Sequence, residues 1–251
     1  MSCKSRESIP TLLTPPLTSV LPRHIAIVMD GNRRWARAHF LPSLEGHRRG
    51  VKAVRRTIQA CLEYKIQTLT LYTFSSENWN RPKEEVSALM NLLALHLRRE
   101  MDELVSEGVC FKALGRIHAL PENIQKLISE LERRTKNNSK LRFNIALNYG
   151  GRQELVDASR RVAQEVLDKK ITIEDINETL FANYLTTAGM EDPDLWIRTG
   201  GEQRVSNFLL WQLAYSEMVF LPIYWPEFEG AHLRDAIEVF GKRERRFGAS
   251  K

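Results

Sequence analysis

Short apolar runs alternate along the chain with longer segments in which apolar residues recur every three or four positions. Runs of about four to eight apolar or β-branched residues are typical of buried strands, whereas the longer spacing is typical of amphipathic helices. Strands are predicted at 24–29, 68–74, 109–114, 141–147, 194–198 and 217–221. Helices are predicted near 47–64, 83–106, 121–136, 152–168, 173–187 and 230–241. This alternation predicts an α/β fold whose largely parallel sheet is covered by helices on both faces.

The helix predicted over 83–106 has a wide apolar stripe. Pro82 precedes the helix, and Glu84 and Glu85 lie in its first turn, where the helix dipole favours carboxylates. Helical spacing places these apolar residues on one broad face: Val86, Leu89, Met90, Leu92, Leu93, Leu97, Met101 and Leu104. A helix packed into a core and a helix lining an apolar cavity would both produce such a stripe.

The composition is that of a globular protein. The chain has 251 residues, of which 43% are hydrophobic and 27% charged, and this length suffices for one domain with a sizeable core. No apolar run approaches the roughly 18 residues that span a bilayer, which argues against an integral membrane protein. Residues 1–21 are rich in proline, serine and threonine and lack the apolar core of a secretory signal. We therefore expect a mobile arm over 1–21 and a single domain over 22–251.

Charge and cysteine content narrow the class of protein further. The net charge of +6 favours anionic partners, among which diphosphates, acidic lipid headgroups and nucleic acids all qualify. A nucleic-acid-binding α/β protein is therefore an alternative, although the sequence has no zinc-finger spacing and no aromatic RNA-recognition motif. Most arginine doublets lie on predicted helices, where solvated faces ordinarily explain them. The three cysteines form no CxxC pair, which is typical of reduced thiols in a cytoplasmic protein.

The first predicted strand ends in a segment that could bind a diphosphate. Asp30 follows the strand directly, Gly31 allows the backbone to turn, and Arg33, Arg34 and Trp35 come next. Ligands of open α/β sheets bind at the carboxyl ends of parallel strands. A carboxylate supplies oxygen for Mg²⁺ and paired guanidinium groups supply donors for phosphate oxygens. The alternative is a surface loop with a helix cap and solvated arginines.

Two further strands end in similar polar segments. The strand at 68–74 runs into hydroxyls, an amide, an indole and an arginine over 75–81, and the strand at 194–198 leads to an arginine-rich segment over 198–207. Because carboxyl ends of parallel strands meet at one edge of a sheet, we expect these segments to lie together. Three strand ends that each carry arginine and small polar residues favour one shared anion site.

At these residues the chain resembles the cis-prenyltransferases, and among them the bacterial-type undecaprenyl diphosphate synthases. The matching segments are MDGNRRWA (29–36), GHRRG (46–50), FSSENWNRP (74–82), NYGGR (148–152), IRTGGEQRVSNFLLWQ (197–212) and RERRFG (243–248). The resemblance covers about 22–248. It implies a six-stranded, mostly parallel sheet flanked by helices with a hydrophobic tunnel, which the helix at 83–106 would line.

The resemblance also implies an activity. Enzymes of this family condense isopentenyl diphosphate with an allylic diphosphate, usually farnesyl diphosphate, in successive cis additions that yield a polyprenyl diphosphate. They use Mg²⁺ and act as homodimers. For this chain we therefore expect a cytoplasmic homodimer with a peripheral membrane contact for release of the lipid product, and no nucleic-acid partner. A short-chain cis-prenyl diphosphate synthase is an alternative, because the sequence does not determine product length.

The family's site residues transfer to matching positions of this sequence. Asp30 and Glu217 match the metal-associated carboxylates, with Glu217 serving either its own site or that of a neighbouring subunit. Asn78 matches a residue that helps remove the proton. The allylic diphosphate would contact Gly31, Asn32, Arg33, Arg34 and His47, and isopentenyl diphosphate would contact Arg198, Arg204 and Ser206. The other substrate contacts would be Trp35, Ser75, Ser76, Glu77, Trp79, Arg81 and Val205.

Several positions depart from the family or bear on product length. Ser43 occupies a position where relatives commonly have arginine, Arg33 replaces a frequent glycine, and Gln203 replaces a frequent histidine. By resemblance, Leu141 lies near the tunnel floor and Thr73 near the substrate end. We expect a smaller side chain at 141 to lengthen the product and a larger one at 73 to shorten it.

Overall fold

The computed structural model describes residues 20–244. Its core is a parallel sheet with the strand order β3-β4-β2-β1-β5-β6. The strands are β1 His24–Val28, β2 Thr68–Ser75, β3 Val109–Leu114, β4 Leu141–Tyr149, β5 Leu195–Arg198 and β6 Glu217–Phe220. The predicted fold and all its strands are confirmed. The predicted arm over 1–21 lies almost entirely outside the described residues.

Seven α-helices accompany the sheet in the described part of the chain. They are α1 Asn32–Ala38, α2 Ser43–Glu63, α3 Lys83–Glu107, α4 Glu122–Thr135, α5 Gly151–Leu167, α6 Glu178–Ala182 and α7 Gly230–Gly241. Helix α1 was not predicted because it has no apolar stripe, and Ala36 is its only buried residue. Within the described range no helix combines the length and apolarity that a membrane crossing requires.

The helix predicted over 173–187 is wrong in extent. The structure has only the five-residue α6 there. Asp175 accepts hydrogen bonds from the backbone N–H of Thr172, at 2.8 Å, and from its hydroxyl, at 2.9 Å. The Asn177 side chain then caps α6 by accepting the N–H of Leu180 at 2.9 Å. These local bonds offer the backbone an alternative to helix and delay its start.

The two faces of the sheet pack against different layers. Ile25, Ile27, Leu69 and Leu71 belong to a large core cluster that includes residues of α2, α3, α4 and α7. The alternate strand residues, such as Ala26 and Trp196, belong to a second cluster that is rich in aromatic rings. Successive side chains of a strand point to opposite faces. Burial on both faces explains why the strands are continuous apolar runs.

The β2–β4 pairing becomes irregular at its carboxyl end. Tyr72 pairs with Ala146, Phe74 with Leu147 and Ser75 with Tyr149. The extra residue Thr73 in β2 is thus followed by an extra residue, Asn148, in β4. Each is a bulge, which redirects side chains locally. The exposed side chain of Thr73 lines the cavity described next.

Candidate active site

A cavity of about 760 Å³ lies between the sheet and helices α2 and α3. Its mouth is at the carboxyl ends of β1, β2 and β5, where Asp30, Asn78 and Arg198 line it. Its deep end is apolar and is lined by Leu104, Phe111, Leu131, Phe143 and Ile145. Residues of α3 from Leu89 to Leu104 line the cavity, which corresponds to about 22 Å of helix. The wide apolar stripe of α3 therefore serves both the core and the cavity wall.

Asp30 is held at the mouth by two arginines. Its Oδ2 accepts a hydrogen bond from Arg198 Nη2 at 2.8 Å, and its Oδ1 lies 3.1 Å from Arg34 Nη2. Burial raises the pKa of Asp30, but the hydrogen bonds and charges of Arg198 and Arg34 outweigh burial and hold the pKa below its usual value. Asp30 is consequently ionised near neutral pH. Its backbone is fixed as well, because its carbonyl oxygen accepts the Trp225 N–H at 2.9 Å.

Arg198 is the most deeply buried charge at the mouth. Only 4% of its side chain is exposed, and its Nη1 donates to Ser206 Oγ at 2.6 Å and to the carbonyl oxygen of Arg204. Its Nε has no hydrogen-bond partner among residues 20–244. Glu202 extends the charged cluster, since it pairs with Arg34 at 3.1 Å and also with Arg204. Arginine donors therefore outnumber carboxylate acceptors at the mouth.

Two glycines allow the backbone to pass close to these charges. Gly31 has φ +104°, and a Cβ atom there would lie 2.6 Å from Cδ1 of Tyr224. Gly200 has φ +86°, and its Cβ would lie 2.6 Å from Arg34 Nη2. Any other residue at either position would be both strained and in collision with a neighbour. The tight turns after β1 and β5 therefore depend on glycine.

The opposite wall of the mouth comes from β2 and helix α2. Asn78 Oδ1 accepts the backbone N–H of Ser75 at 3.1 Å, which closes a turn after β2. Arg81 pairs with Glu85 at 3.2 Å. Burial, followed by the charge of Arg81, lowers the pKa of His47 to about 4, and its Nε2 has no hydrogen-bond partner in the described range. His47 thus presents a neutral, unpaired ring nitrogen beside the cavity.

The mouth gathers most, but not all, of the predicted site residues. Those that line the cavity are Asp30, Gly31, Asn32, Arg33, Arg34, His47, Ser75, Asn78, Arg81 and Arg198. Arg204 and Ser206 adjoin it through Arg198. Trp35, Ser76, Glu77, Trp79 and Val205 are not among the cavity-lining residues of the described chain.

These outlying residues have structural contacts of their own. Trp35 stacks on His39 with ring centroids 4.2 Å apart. Trp79 Nε1 donates to Asn148 Oδ1 at 2.8 Å, and Glu77 accepts from Asn207 at 2.7 Å. Such contacts support the loops around the mouth.

Glu217 lies far from Asp30 in the same chain. It begins β6 and pairs in register with Leu195, which is level with Ile25 at the amino end of the sheet. Asp30 is five residues beyond Ile25, so the two carboxylates are about 15 Å apart along the strand direction. Glu217 instead pairs with Arg243 at 2.7 Å. The option in which Glu217 completes the metal site of its own chain is therefore wrong, and only service to a neighbouring subunit remains as a prediction.

Comparison with known proteins places this geometry in a family. Residues 28–248 match the family model Prenyltransf, described as "Putative undecaprenyl diphosphate synthase". A relative from Legionella pneumophila, named "Ditrans,polycis-undecaprenyl-diphosphate synthase ((2E,6E)-farnesyl-diphosphate specific)", is 48% identical over 91% of this chain and 96% of its own length. The chain belongs to this family.

Other relatives agree in sequence and in fold. An "Isoprenyl transferase" from Agrobacterium fabrum is 48% identical over 92% of this chain and 94% of its own. The crystal structure of lavandulyl diphosphate synthase from Lavandula x intermedia, in complex with dimethylallyl diphosphate, has a TM-score of 0.89 and 38% identity. A "probable undecaprenyl diphosphate synthase" from Campylobacter jejuni has a TM-score of 0.75 and 33% identity. Each structure covers 91% of this chain and 99% of its own.

One carboxylate at the mouth could accept the Mg²⁺ that the sequence resemblance implies. Among the described residues, no group of three or more histidine, cysteine or acidic side chains could hold a metal. Mg²⁺ commonly binds through one or two carboxylates together with substrate phosphates and water. Asp30 is ionised, and 29% of its side chain is exposed at the mouth. It therefore fits a metal that arrives with a diphosphate, whereas the protein alone offers no complete cage.

The sequence predictions missed three ionisable residues in or beside the cavity. Glu202 organises Arg34 and Arg204, and the IRTGGEQR segment already contained it as a signal. His96 and Glu100 line the apolar cavity 3.6 Å apart, although helical spacing alone does not distinguish them from a solvated edge. Leu141 was predicted to lie near the tunnel floor. It is fully buried, pairs with Val109 and is not among the lining residues described.

Several arginines of the doublets pair with acidic side chains. Arg55 pairs with Glu100 and Glu103, and Arg134 pairs with Asp102 at 2.8 Å. Arg133 pairs with Glu130 at 2.7 Å. This pairing supports the interpretation of the doublets as solvated helix faces.

Proposed function

We propose that this protein condenses isopentenyl diphosphate with an allylic diphosphate, with farnesyl diphosphate as the primer, in successive cis additions. One observation carries the proposal: Asp30, a carboxylate held by two arginines, lies at the mouth of a long apolar cavity. A charged mouth suits diphosphates and an apolar interior suits a growing prenyl chain. The names of the relatives support the same substrates.

Each part of the mouth has a chemical task. Arg34 and Arg198 provide forked donors that match diphosphate oxygens. The unpaired Nε of Arg198 and the ring nitrogen of His47 supply further groups for the substrates. Asn78 is an amide and a poor base, so it orients the group that takes the proton from C2 of the isopentenyl unit, the carbon next to the cation that forms on condensation. The apolar wall excludes water while positive charge develops on the allylic carbon.

Asp30 would hold the magnesium ion. Mg²⁺, when bound, would neutralise diphosphate charge and so assist departure of the leaving group. Arg198 and Arg34 keep Asp30 ionised and oriented toward the mouth, ready for that ligand. Ser43 provides no cation, so Arg33 supplies positive charge on this side of the mouth instead.

The length of the cavity favours a product longer than the primer. An extended isoprene unit has four chain carbons and spans about 5 Å, given carbon–carbon bonds of about 1.5 Å. The cavity follows α3 for about 22 Å, which holds roughly four units. The farnesyl chain has three, so at least one addition fits. A chain of the undecaprenyl class is longer than the cavity and would have to fold or emerge.

We further propose a cytoplasmic homodimer in which Glu217 serves the neighbouring subunit. The position of Glu217 at the far end of the sheet supports its service to a neighbouring subunit. The C-terminal segment RERRFG is proposed to approach the active site, but its last residues lie outside the described range.

Incorporation of radiolabelled isopentenyl diphosphate tests the proposal. The purified full chain is supplied with Mg²⁺ and with dimethylallyl, geranyl or farnesyl diphosphate, and the dephosphorylated products are separated by thin-layer chromatography. We expect farnesyl diphosphate to give the highest rate and a long product, and EDTA to stop the reaction. The lavender neighbour, solved with dimethylallyl diphosphate, favours the short-chain alternative, which a single addition to the smallest primer would support. No incorporation with any primer would refute the proposal.

A further inference from the structure

Phe40 is the most exposed large apolar residue of the described chain. Fully 97% of its surface is accessible, and its φ of +55° lies in the left-handed region that favours glycine. Neither packing nor backbone conformation explains a phenylalanine at this position. An exposed aromatic ring in a strained turn calls for another explanation, and a surface contact supplies one.

Backbone hydrogen bonds hold the turn that carries Phe40. Helix α1 ends in a Schellman motif, in which the N–H of Leu41 donates to the carbonyl oxygen of Ala36 at 2.9 Å and that of Phe40 donates to Arg37 at 3.1 Å. Both bonds fix the direction of the chain on each side of Phe40. The backbone that carries Phe40 is therefore fixed at the surface by the end of the helix.

The turn adjoins the mouth of the cavity. Leu41 is 43% exposed and also lines the cavity, as do Arg37 and Arg33. Arg33 and Arg37 are one helical turn apart and lie on the same face of α1. Arg37 forms no ion pair with any carboxylate of residues 20–244, and 60% of the Arg33 side chain is exposed. We name these four residues, Arg33, Arg37, Phe40 and Leu41, the rim surface.

The chemistry of the rim surface matches a bilayer. Aromatic side chains are favoured at the level of lipid headgroups, and exposed arginines are attracted to anionic phospholipid. The two apolar residues would enter the interface while the two arginines remain among the headgroups. A protein partner would be expected to offer acidic groups and a matching pocket, whereas an anionic bilayer offers both charge and an apolar layer without a specific shape.

We propose that the rim surface docks on a bilayer that contains anionic phospholipid. The mouth of the cavity then opens at the membrane, where a prenyl chain can pass into the acyl layer without crossing water. This transfer of product rests on the proposed function, but docking itself does not. It can therefore be tested in the absence of prenyl substrates.

Vesicle flotation with the full chain tests the docking. The vesicles consist of phosphatidylcholine alone or of phosphatidylcholine with phosphatidylglycerol. The variant is Phe40→Asn, because asparagine tolerates the left-handed backbone and the turn should keep its conformation. The matched control is Ile173→Asn, which removes another apolar residue that is 70% exposed and lies in a loop before α6. Melting temperatures of both variants confirm folding.

The wild type and Ile173→Asn should float with the phosphatidylglycerol vesicles, and added salt should weaken this binding. Phe40→Asn should bind about tenfold more weakly, the factor that burial of roughly half a phenyl side chain supplies. Wild-type binding that does not depend on phosphatidylglycerol, or equal binding by Phe40→Asn, would overturn the proposal. Absence of any vesicle binding would also overturn it and would favour a protein partner.

A second measurement separates this inference from the proposed function. Phe40 is not among the cavity-lining residues described, so Phe40→Asn in detergent should retain the wild-type rate of the first condensation within about twofold. If the wild type floats but condenses no substrate, the proposed function fails while docking stands. If it condenses but does not float, docking alone fails.

Discussion

Asp30 and Glu154 are both carboxylates withdrawn from bulk water, but their partners differ in kind. Asp30 is held by the guanidinium groups of Arg34 and Arg198 and faces the cavity. Glu154 is 6% exposed and packs on the other side of the sheet, where all its partners are neutral.

The neutral partners of Glu154 occupy all the hydrogen-bond acceptor sites of its carboxylate. Tyr149 donates its hydroxyl at 2.6 Å and Gln212 its amide at 3.1 Å to Oε2, while Oε1 accepts the N–H of Thr186 at 2.9 Å and its hydroxyl. Two oxygens with about four acceptor sites are thereby saturated. Asp30, by contrast, is bound to arginines with donors to spare. A carboxylate paired with excess donors beside a cavity is suited to exchange ligands, whereas a saturated one fixes the fold.

Substitution of Asp30 should have the largest effect. Asp30→Asn leaves Arg198 a neutral acceptor and therefore spares the fold, but it removes the charge that would hold Mg²⁺. We expect kcat to fall about 10³-fold, measured by isopentenyl diphosphate incorporation. Asp157→Asn is the control, because Asp157 also pairs with an arginine, Arg116, at 2.7 Å but away from the cavity. A normal rate for Asp30→Asn would contradict the assignment of Asp30.

A matched pair of leucines tests whether the cavity sets product length. Leu131 and Leu141 are both fully buried, yet only Leu131 lines the cavity. Each change to alanine should lower the free energy of unfolding by about 2–5 kcal/mol. Only Leu131→Ala should lengthen the products on thin-layer chromatography, because it alone enlarges the deep end. Longer products from Leu141→Ala would show that the cavity extends beyond the residues identified.

Thr73 tests the other end of the same cavity. Thr73→Leu adds volume near the mouth without altering a charge. We expect shorter products, with the first condensation retained within about threefold. Loss of the first condensation would instead mean that Thr73 contacts the primer itself.

Substitution of Glu154 should lower stability and leave activity unchanged, which is the opposite of the effect expected for Asp30. Glu154→Ala leaves the hydroxyl of Tyr149 and the amide of Gln212 without their acceptor, and we expect the free energy of unfolding to fall by about 2–3 kcal/mol. At a temperature where the variant is folded, kcat and KM should stay within about twofold of the wild type. A loss of activity without a loss of stability would remove the contrast between the two carboxylates.

Protonation of two histidines should have the smallest effect on stability for each residue. His47 lies beside the cavity, as Asp30 does, and His24 lies away from it, as Glu154 does. Burial lowers the pKa of both His24 and His47 to about 4. As the pH falls below about 6.5, these histidines bind protons in the unfolded chain but stay neutral in the folded chain. The free energy of unfolding therefore declines until about pH 4. For His24, the free energy of unfolding should be lower at pH 5.5 by about 1.4 kcal/mol. Urea unfolding at pH 7 and pH 5.5 measures the combined effect.

Added pyrophosphate should separate the two histidines. An anion at the mouth favours the charged imidazole and should raise the pKa of His47. His24 is bonded to Thr70 at 2.8 Å and to the carbonyl oxygen of Glu191 at 2.7 Å, away from the cavity, and its pKa should not change. NMR titration of the imidazole resonances measures both, and an unchanged His47 would argue against its contact with diphosphate.

Much of this arrangement could be predicted because parallel strands order the site. Once the runs ending at 29, 74 and 198 were identified as strands, their polar ends had to share one edge of the sheet. That reasoning brought Asp30, Asn78 and Arg198 together, as the structure does.

What escaped prediction depended on register and local competition. The predicted strand 217–221 already begins at Glu217, which places it at the other edge of the sheet; only the resemblance had offered Glu217 to the metal site of its own chain. Leu141 is two residues from Phe143 on the same face, yet only Phe143 is among the lining residues described, and periodicity cannot resolve that depth. Asp175 delayed the start of a predicted helix through two side-chain hydrogen bonds that an apolar pattern does not register.

The paired bulges of β2 and β4 have a consequence for how the molecule opens. Because Thr73 and Asn148 interrupt the ladder one after the other, the strand ends beyond them are linked to the core by fewer regular hydrogen bonds. Amide protons of Leu69–Leu71 should exchange with solvent only when the whole domain unfolds, whereas that of Ser75 should exchange through local opening. The loop that carries Asn78 can thus loosen and close again while the sheet beneath it remains intact.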